Sequence, residues 1–422
     1  MPNNNSLLRN ILVLVMGSGT AKLIGFASVL VLTRLYTPEQ FGMFNVYLSL
    51  VLLIGPLVAL RYPLAIPLPR TNIAASNLLI LCVSLAAVLS CCVFLLFNYA
   101  KPLQQLLSLS SFDSTFFIIL SISIFIYSIH EILVSWNIRN KSFKKVAIAE
   151  ALVSFSAAIV KISIPFIGLG ITFGLVYGHI LGVLLGFLFL LISLKINSTA
   201  VTRVSMKRVA KMYSDFPKFR LPSQFLMILS AQLPILVFNH YFGKAETGQL
   251  GLAISVIAVP MMLIANTASQ AYHGEVAKIG KKKPDEIYKV SLNLCKKMAL
   301  IGIVPALFLT ITGKYLFAFF FGEIWSDAGV FASILSVMLF FQFIANPIGH
   351  ALSVFKRNDL FLILNFMRAC MVVSCFLMGS WLTFTPFELI LLYSIALGTF
   401  YVMYAIFVLI FLKKESKRIA KS

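Results

Sequence analysis

Apolar segments long enough to cross a bilayer recur about twelve times along this chain, at roughly 9–33, 42–66, 73–98, 114–136, 146–166, 170–194, 221–242, 247–271, 295–313, 328–354, 358–382 and 386–412. No other property limits the fold so strongly. Inside the hydrocarbon there is no water, so each segment must satisfy its own backbone or join a closed barrel. The runs are continuous rather than alternating, which selects helices over strands. The expected fold class is all-α integral membrane, with about 12 transmembrane helices. Composition agrees: of 422 residues, 60% are hydrophobic and 12% charged, a balance foreign to soluble domains of this size. The opening MPNNNSLLRN lacks the compact charged region, short apolar core and small-residue cleavage site of a signal peptide. The first run is therefore expected to stay as a span.

A formal net charge of +21 would suggest nucleic acid in a soluble protein. The positions of the cations exclude that partner. Of the 35 Lys and Arg residues, 27 fall in links on the side of the N-terminus, with dense groups at Arg139–Lys145, Lys195–Arg220, Lys278–Lys297 and Lys413–Lys421. Only Arg34, Lys101, Lys244 and Lys314 fall in the opposite links. A bias of that size follows the positive-inside rule and places both termini in the cytoplasm, with the basic links facing anionic lipid. The six cysteines lie in or at the start of apolar segments, with neither CxxC spacing nor a His cluster. No disulfide framework or metal site is expected.

The link around 196–220 divides the spans six and six. The expected organisation is an N-terminal bundle at 1–195, a cytoplasmic linker at 196–220, a C-terminal bundle at 221–412 and a basic tail at 413–422. Placing Gln40-Phe41-Gly42-Met43-Phe44 over Glu246-Thr247-Gly248-Gln249-Leu250 aligns two glycines, and then Ser49 with Ser255. Both stretches join the first and second spans of their half, which suggests a duplicated six-helix unit.

Four cations sit inside spans: Lys22 and Arg368 near mid-membrane, Lys161 somewhat towards the outside, and Arg61 near the inner end of span two. A cation there costs roughly 3 kcal/mol or more and normally faces a polar cavity or a partner. The competing readings are snorkelling to the interface and pairing with a buried acid. Glu131 and Glu150 lie near the inner ends of spans four and five, beside the basic link Arg139–Lys145, where local charge pairing is expected. Coupling to a proton or cation is the functional alternative for them, and for His179 in span six. His130 and His350 read as packing residues. Gly17-Ser18-Gly19 and the Gly168, Gly170 pair read as sites of close helix approach or bending, not as phosphate loops. Pro56, Pro165, Pro234, Pro260, Pro305 and Pro347 are expected to kink spans.

The stretch Leu35-Tyr36-Thr37-Pro38-Glu39-Gln40-Phe41-Gly42, followed by an apolar span and Leu60-Arg61-Tyr62-Pro63-Leu64-Ala65-Ile66-Pro67-Leu68-Pro69, resembles the opening of oligosaccharide flippases. Asp215-Phe216-Pro217-Lys218-Phe219-Arg220-Leu221-Pro222-Ser223 and Ala231-Gln232-Leu233-Pro234-Ile235-Leu236 in the second half agree with it. These flippases are the O-antigen and capsule-unit translocases of the multidrug/oligosaccharidyl-lipid/polysaccharide exporter superfamily. The resemblance implies two pseudo-symmetric six-helix bundles around a central cavity that opens alternately to each side of the bacterial inner membrane. It implies a polyprenyl-diphosphate-linked oligosaccharide as cargo, from the O-antigen, capsule or exopolysaccharide pathways. It also implies membrane lipid and the glycan polymerase of the pathway as partners. Lys22, Arg61, Lys161 and Arg368 would then form a cationic cavity for the diphosphate, with Arg suited to bidentate contacts and Lys to a point charge. No catalytic residue and no cofactor are expected, with H+ or Na+ coupling left open. Two alternatives stand beside this reading: a membrane polymerase or ligase of the same pathway, and a cation-coupled exporter of drugs or peptidoglycan precursor on the same fold. Outer links as short as 99–113 and 314–327, and scarce mid-membrane acids, speak against them.

Overall fold

A computed structural model describes residues 4–106, 109, 112–168, 171–192, 194, 202–355 and 357–419, with side chains from residue 19 on apart from isolated positions. The described residues are mostly helical and contain no strand. In order, the helices are α1 Asn4–Leu35, α2 Pro38–Ile54, α3 Asn72–Tyr99, α4 Lys101–Leu106, α5 Ser114–Arg139, α6 Phe143–Ile167, α7 Gly174–Ile192, α8 Arg203–Met212, α9 Leu221–Ile279, α10 Pro284–Phe321, α11 Ser326–Ile348, α12 His350–Val354, α13 Asn358–Trp381 and α14 Pro386–Ile419. Nine of the described helices are long and apolar enough to cross a membrane. Adding α1, the shorter apolar α2 and the second limb of α9 beyond its break at Gly243 accounts for all twelve expected spans. Large side chains such as Phe166, Leu300, Ile311 and Trp381 are three-quarters or more exposed. Hydrocarbon tolerates such a surface and water does not.

The helices start and stop where the local chemistry requires. Thr37 caps α2 in a capping box with Gln40, and Pro38 occupies the first turn, where its missing N–H costs nothing. Thr71 caps α3, and Thr202 caps α8. Gly168, Gly243 and Gly280 stand at φ of 72, 80 and 73°, a region that favours glycine at helix ends.

Two compact units emerge, Met1–Gly248 and Gln249–Ser422. In the first, α6 packs on α1 and α7, and α5 on α2, α3 and α7. Its core joins Tyr47, Leu50 and Val51 of α2 to Leu78 and Cys82 of α3 and to Leu120, Ile124 and Ile132 of α5. In the second, α11 packs on α10 and α14, and α13 on α14, around the fully buried Trp325, Phe331 and Leu335. Gln249 ties the start of α11 to α9: its Nε2 donates to the Ile324 carbonyl at 2.6 Å and its Oε1 accepts from the Ala328 N–H at 3.0 Å.

The two aligned glycines and the residues just before them, at 38–42 and 244–248, meet inside the first unit. A Cβ on Gly42 would overlap the Lys244 carbonyl, and one on Gly248 would overlap the Pro38 carbonyl. The shift that carries 42 to 248 also carries 38 to 244, and carries the chain break at Thr37 to the one at Gly243. The two contacts are therefore reciprocal, as a local two-fold axis between the segments requires.

Three features differ from the sequence reading. The second span is not one helix: α2 ends at Ile54, and turns followed by a short 3-10 segment, Tyr62–Ala65, carry the chain onward. Pro56 and Pro63 lack the N–H donors a helix would need, and Leu60 and Arg61 take left-handed φ of 49 and 58°. This irregular backbone is buried in protein, with Val58, Ala59, Ala65 and Ile66 at 3% exposure or less, the condition under which such backbone is stable at membrane depth. Second, most of the links at 272–294 and 314–327 are helical, because α9 runs on to Ile279 and α10 occupies Pro284–Phe321. An Asp285–Lys289 ion pair one turn apart supports the start of α10. Third, the described part of the link at 196–220 carries α8 and a π-helical turn, Phe216–Arg220. Pro165, Pro305 and Pro347 lie inside helices. The surroundings of Gly17 and Ser18, and all of Gly170, lie outside the described residues.

Candidate functional site

Five side chains, from α2, α6, α7 and the link after α1, converge in the first unit. Lys161 of α6 holds its Nζ 4.3 Å from the centroid of the Phe44 ring on α2, a cation–π arrangement. The Tyr36 hydroxyl at the end of α1 donates to the Lys161 carbonyl at 2.6 Å. His179 of α7 places Nδ1 3.0 Å from the Tyr47 hydroxyl and meets Phe44 and Tyr47 edge-on. Lys161 and His179 interact electrostatically. No carboxylate lies within ion-pair distance of Lys161 among the described residues. The chain thus brings together a cation expected to bind cargo and a histidine expected, if anything, to couple it.

The close approach of α6 and α7 makes this cluster possible. Gly178, Gly182 and Gly186 recur every four residues along α7 and face α6: a Cβ on Gly178 would overlap the Lys161 stem, and one on Gly182 would come within 2.6 Å of the Val153 carbonyl. This is a small-residue seam of the membrane kind, more extensive than the isolated glycines singled out above. Its four-residue spacing was readable in the sequence. The roles of Tyr36, Phe44 and Tyr47 were not, because one aromatic on an apolar helix looks like another until its neighbours are known.

The other expected residues divide into pairs. Arg61 is 4% exposed and its Nη1 contacts Glu131 Oε1 of α5 at 3.0 Å. It was expected near headgroup level at the end of a helix. Instead it sits in the irregular segment, turned by its left-handed backbone towards α5. Glu131 therefore pairs with Arg61 and not with the link Arg139–Lys145. Arg139 is occupied elsewhere, donating to the Pro69 and Thr71 carbonyls and to Asn72 Oδ1 at the start of α3. Lys22 of α1 is half-buried and interacts electrostatically with Glu150 of α6. In the second unit, Arg368 of α13 is half-buried and interacts with Tyr393 and Tyr404 of α14. His130 is buried with its Nε2 making no hydrogen bond, and His350 meets His273 ring to ring at 5.3 Å.

A family model described as "Polysaccharide biosynthesis protein" matches residues 31–330. Among solved structures, the chain resembles the lipid II flippase MurJ in an inward closed conformation, at 14% identity and a TM-score of 0.75, over 97% of this chain and 91% of that one. It also resembles an inward-facing multidrug resistance MATE transporter of the MOP superfamily, at 14% identity and a TM-score of 0.65, over 96% and 94%. A MOP superfamily transporter from Pyrococcus furiosus matches at 14% identity and a TM-score of 0.56, over 98% and 96%. No curated protein matches by sequence. At such identities the structural likeness establishes the fold and does not select a cargo. The fold neighbours named here are a flippase and transporters.

Proposed function

The chain belongs to the polysaccharide biosynthesis protein family, and from that premise we propose that it is a flippase for a polyprenyl-diphosphate-linked oligosaccharide. The cargo is an O-antigen, capsule or exopolysaccharide repeat unit, moved from the cytoplasmic to the periplasmic leaflet of a bacterial inner membrane, with a glycan polymerase acting on it afterwards. Both termini are cytoplasmic, in keeping with the 27 cations on their side. The bundles 1–195 and 221–412 alternate in exposing the cargo, and no covalent bond is made or broken.

The observation that carries this reading is Lys161. An ammonium within a membrane span, held by an aromatic face and without a carboxylate among the described residues, is positioned to meet an anion. A diphosphate supplies that anion. Lys22 and Arg368 add attraction along the route, while Arg61 acts as a positioning residue committed to Glu131. His179, beside Lys161 and bonded to Tyr47, is the group we assign to H+ coupling.

Complementation of a flippase-deleted strain, scored by surface glycan, tests the reading. Wild-type chain is expected to restore glycan, and Lys161→Gln to lose about tenfold or more of the export rate, the worth of one charge-assisted contact, while inserting normally. Failure of the wild type to complement any glycan-export deletion would overturn the cargo class. Full activity in Lys161→Gln, Lys22→Ala and Arg368→Ala alike would overturn the cationic route.

A further inference from the structure

At the basic end of the second unit, the turn between α9 and α10, the turn before α13 and the last turns of α14 border an open cavity of about 290 Å³. Lys281, Lys282, Arg357 and Arg418 line it against a single acid, Glu415. Its apolar side is Phe355 and Phe411, packed edge to face at 5.5 Å and 90°. We propose that this cavity is a binding site for the phosphate group of an anionic membrane amphiphile, separate from the Lys161 cluster.

The charges around the cavity are sorted in a way that leaves it positive. Lys283 is neutralised by Glu286 at 2.7 Å, and Lys289 by Asp285 at 2.7 Å. Lys281 and Lys282, just before Lys283 in sequence, have no carboxylate within ion-pair distance among the described residues. Gly280, at φ 73°, reverses the chain after α9 and presents both lysines together. Arg357 forks onto Asp359, with contacts of 2.8 to 3.1 Å, so its charge is balanced and the open charge of the cavity rests on Lys281 and Lys282. Arg418 meets Glu415 only at 3.8 Å, too long for a firm hydrogen bond.

Size and position identify the class of ligand. A volume of about 290 Å³ lies at the small end of ligand cavities, roughly 300–1,000 Å³, enough for a headgroup and not for an oligosaccharide. The cavity sits where the apolar runs of α9 and α14 give way to Lys281, Lys282, Lys413 and Lys414, the level of lipid phosphates. Cations on one side and phenyl rings on the other suit an amphiphile at that boundary. A soluble phosphate would use the same cations, so the experiment separates the two sources.

The full-length chain in neutral detergent is titrated calorimetrically with inorganic pyrophosphate, and in a second arm with mixed micelles containing phosphatidylglycerol. The double variant Lys281→Gln, Lys282→Gln is expected to weaken binding about tenfold or more, through lost charge-assisted contacts. Glu415→Gln is expected to tighten it, a gain that misfolding does not mimic. Exposed Lys413→Gln, Lys414→Gln, outside the cavity, is expected to leave affinity unchanged. Preference for the phosphatidylglycerol micelles assigns a lipid headgroup, and binding of pyrophosphate alone assigns a soluble anion at the same site. Absence of binding by the wild type, or an equal loss in both double variants, overturns the site in favour of diffuse surface charge. Each readout is binding alone, so it stands or falls independently of the transport reading.

Discussion

Arg61 and Glu131 share a 3.0 Å contact, with the arginine almost wholly buried and the glutamate side chain about one-quarter exposed. Buried pairs of this kind contribute little net stability when intact, because desolvation offsets the attraction, but removing one partner strands the other. Glu131→Ala is expected to destabilise the chain by about 3–5 kcal/mol, read as a large drop in the thermal unfolding temperature in detergent. Replacing both partners together, Arg61→Met with Glu131→Leu, is expected to recover most of the loss. A small effect from Glu131→Ala would mean that Arg61 reaches solvent in the folded chain. Lys161 is the opposite case. It has an aromatic partner rather than an acid, so its substitution is expected to affect transport far more than folding.

Helix boundaries follow from local chemistry that single substitutions can probe. The box of Thr37 and Gln40 satisfies orphan donors at the start of α2 through contacts of 3.4 and 2.9 Å. Thr37→Ala is expected to cost about 1 kcal/mol, measured by thermal unfolding. Glycines separate more sharply. Gly42→Ala and Gly248→Ala would each drive a Cβ into a facing carbonyl, in backbone that has no flexible side chain to yield. Both are expected to cost about 3 kcal/mol and to reduce membrane insertion to a similar degree, since the two contacts are images of each other. Gly25→Ala and Gly274→Ala, with nothing within 4 Å of the added carbon, are expected to be neutral or to stabilise by up to about 1 kcal/mol. A tolerated Gly42→Ala beside a disruptive Gly25→Ala would reverse the assignment of the crossing. The second span shows the limit of reading elements from hydropathy. Residues 42–66 are apolar enough to cross, yet prolines and a left-handed Arg61 break the helix after Ile54.

At the scale of the whole molecule, a local repeat stands beside an uneven distribution of charge. The stretches around Gly42 and Gly248 repeat in sequence and meet reciprocally in space, whereas the intramembrane cations do not repeat: Lys22, Arg61 and Lys161 belong to the first unit and Arg368 to the second. Membrane class, the recurrence of apolar spans and the aligned glycines all follow from local composition and periodicity, which the one-dimensional chain already contains. Which cation pairs and which stays open does not. Arg61 and Glu131 lie 70 residues apart, Lys161 meets Phe44 across two helices, and Lys281 and Lys282 become a cavity wall only when the last turns of α14 fold against their turn. The sequence by itself determined the helices and the membrane that surrounds them. Tertiary structure alone decided where charge is cancelled and where it is left for a ligand, because partner choice for a long side chain depends on packing between distant segments, which neither spacing nor hydropathy encodes.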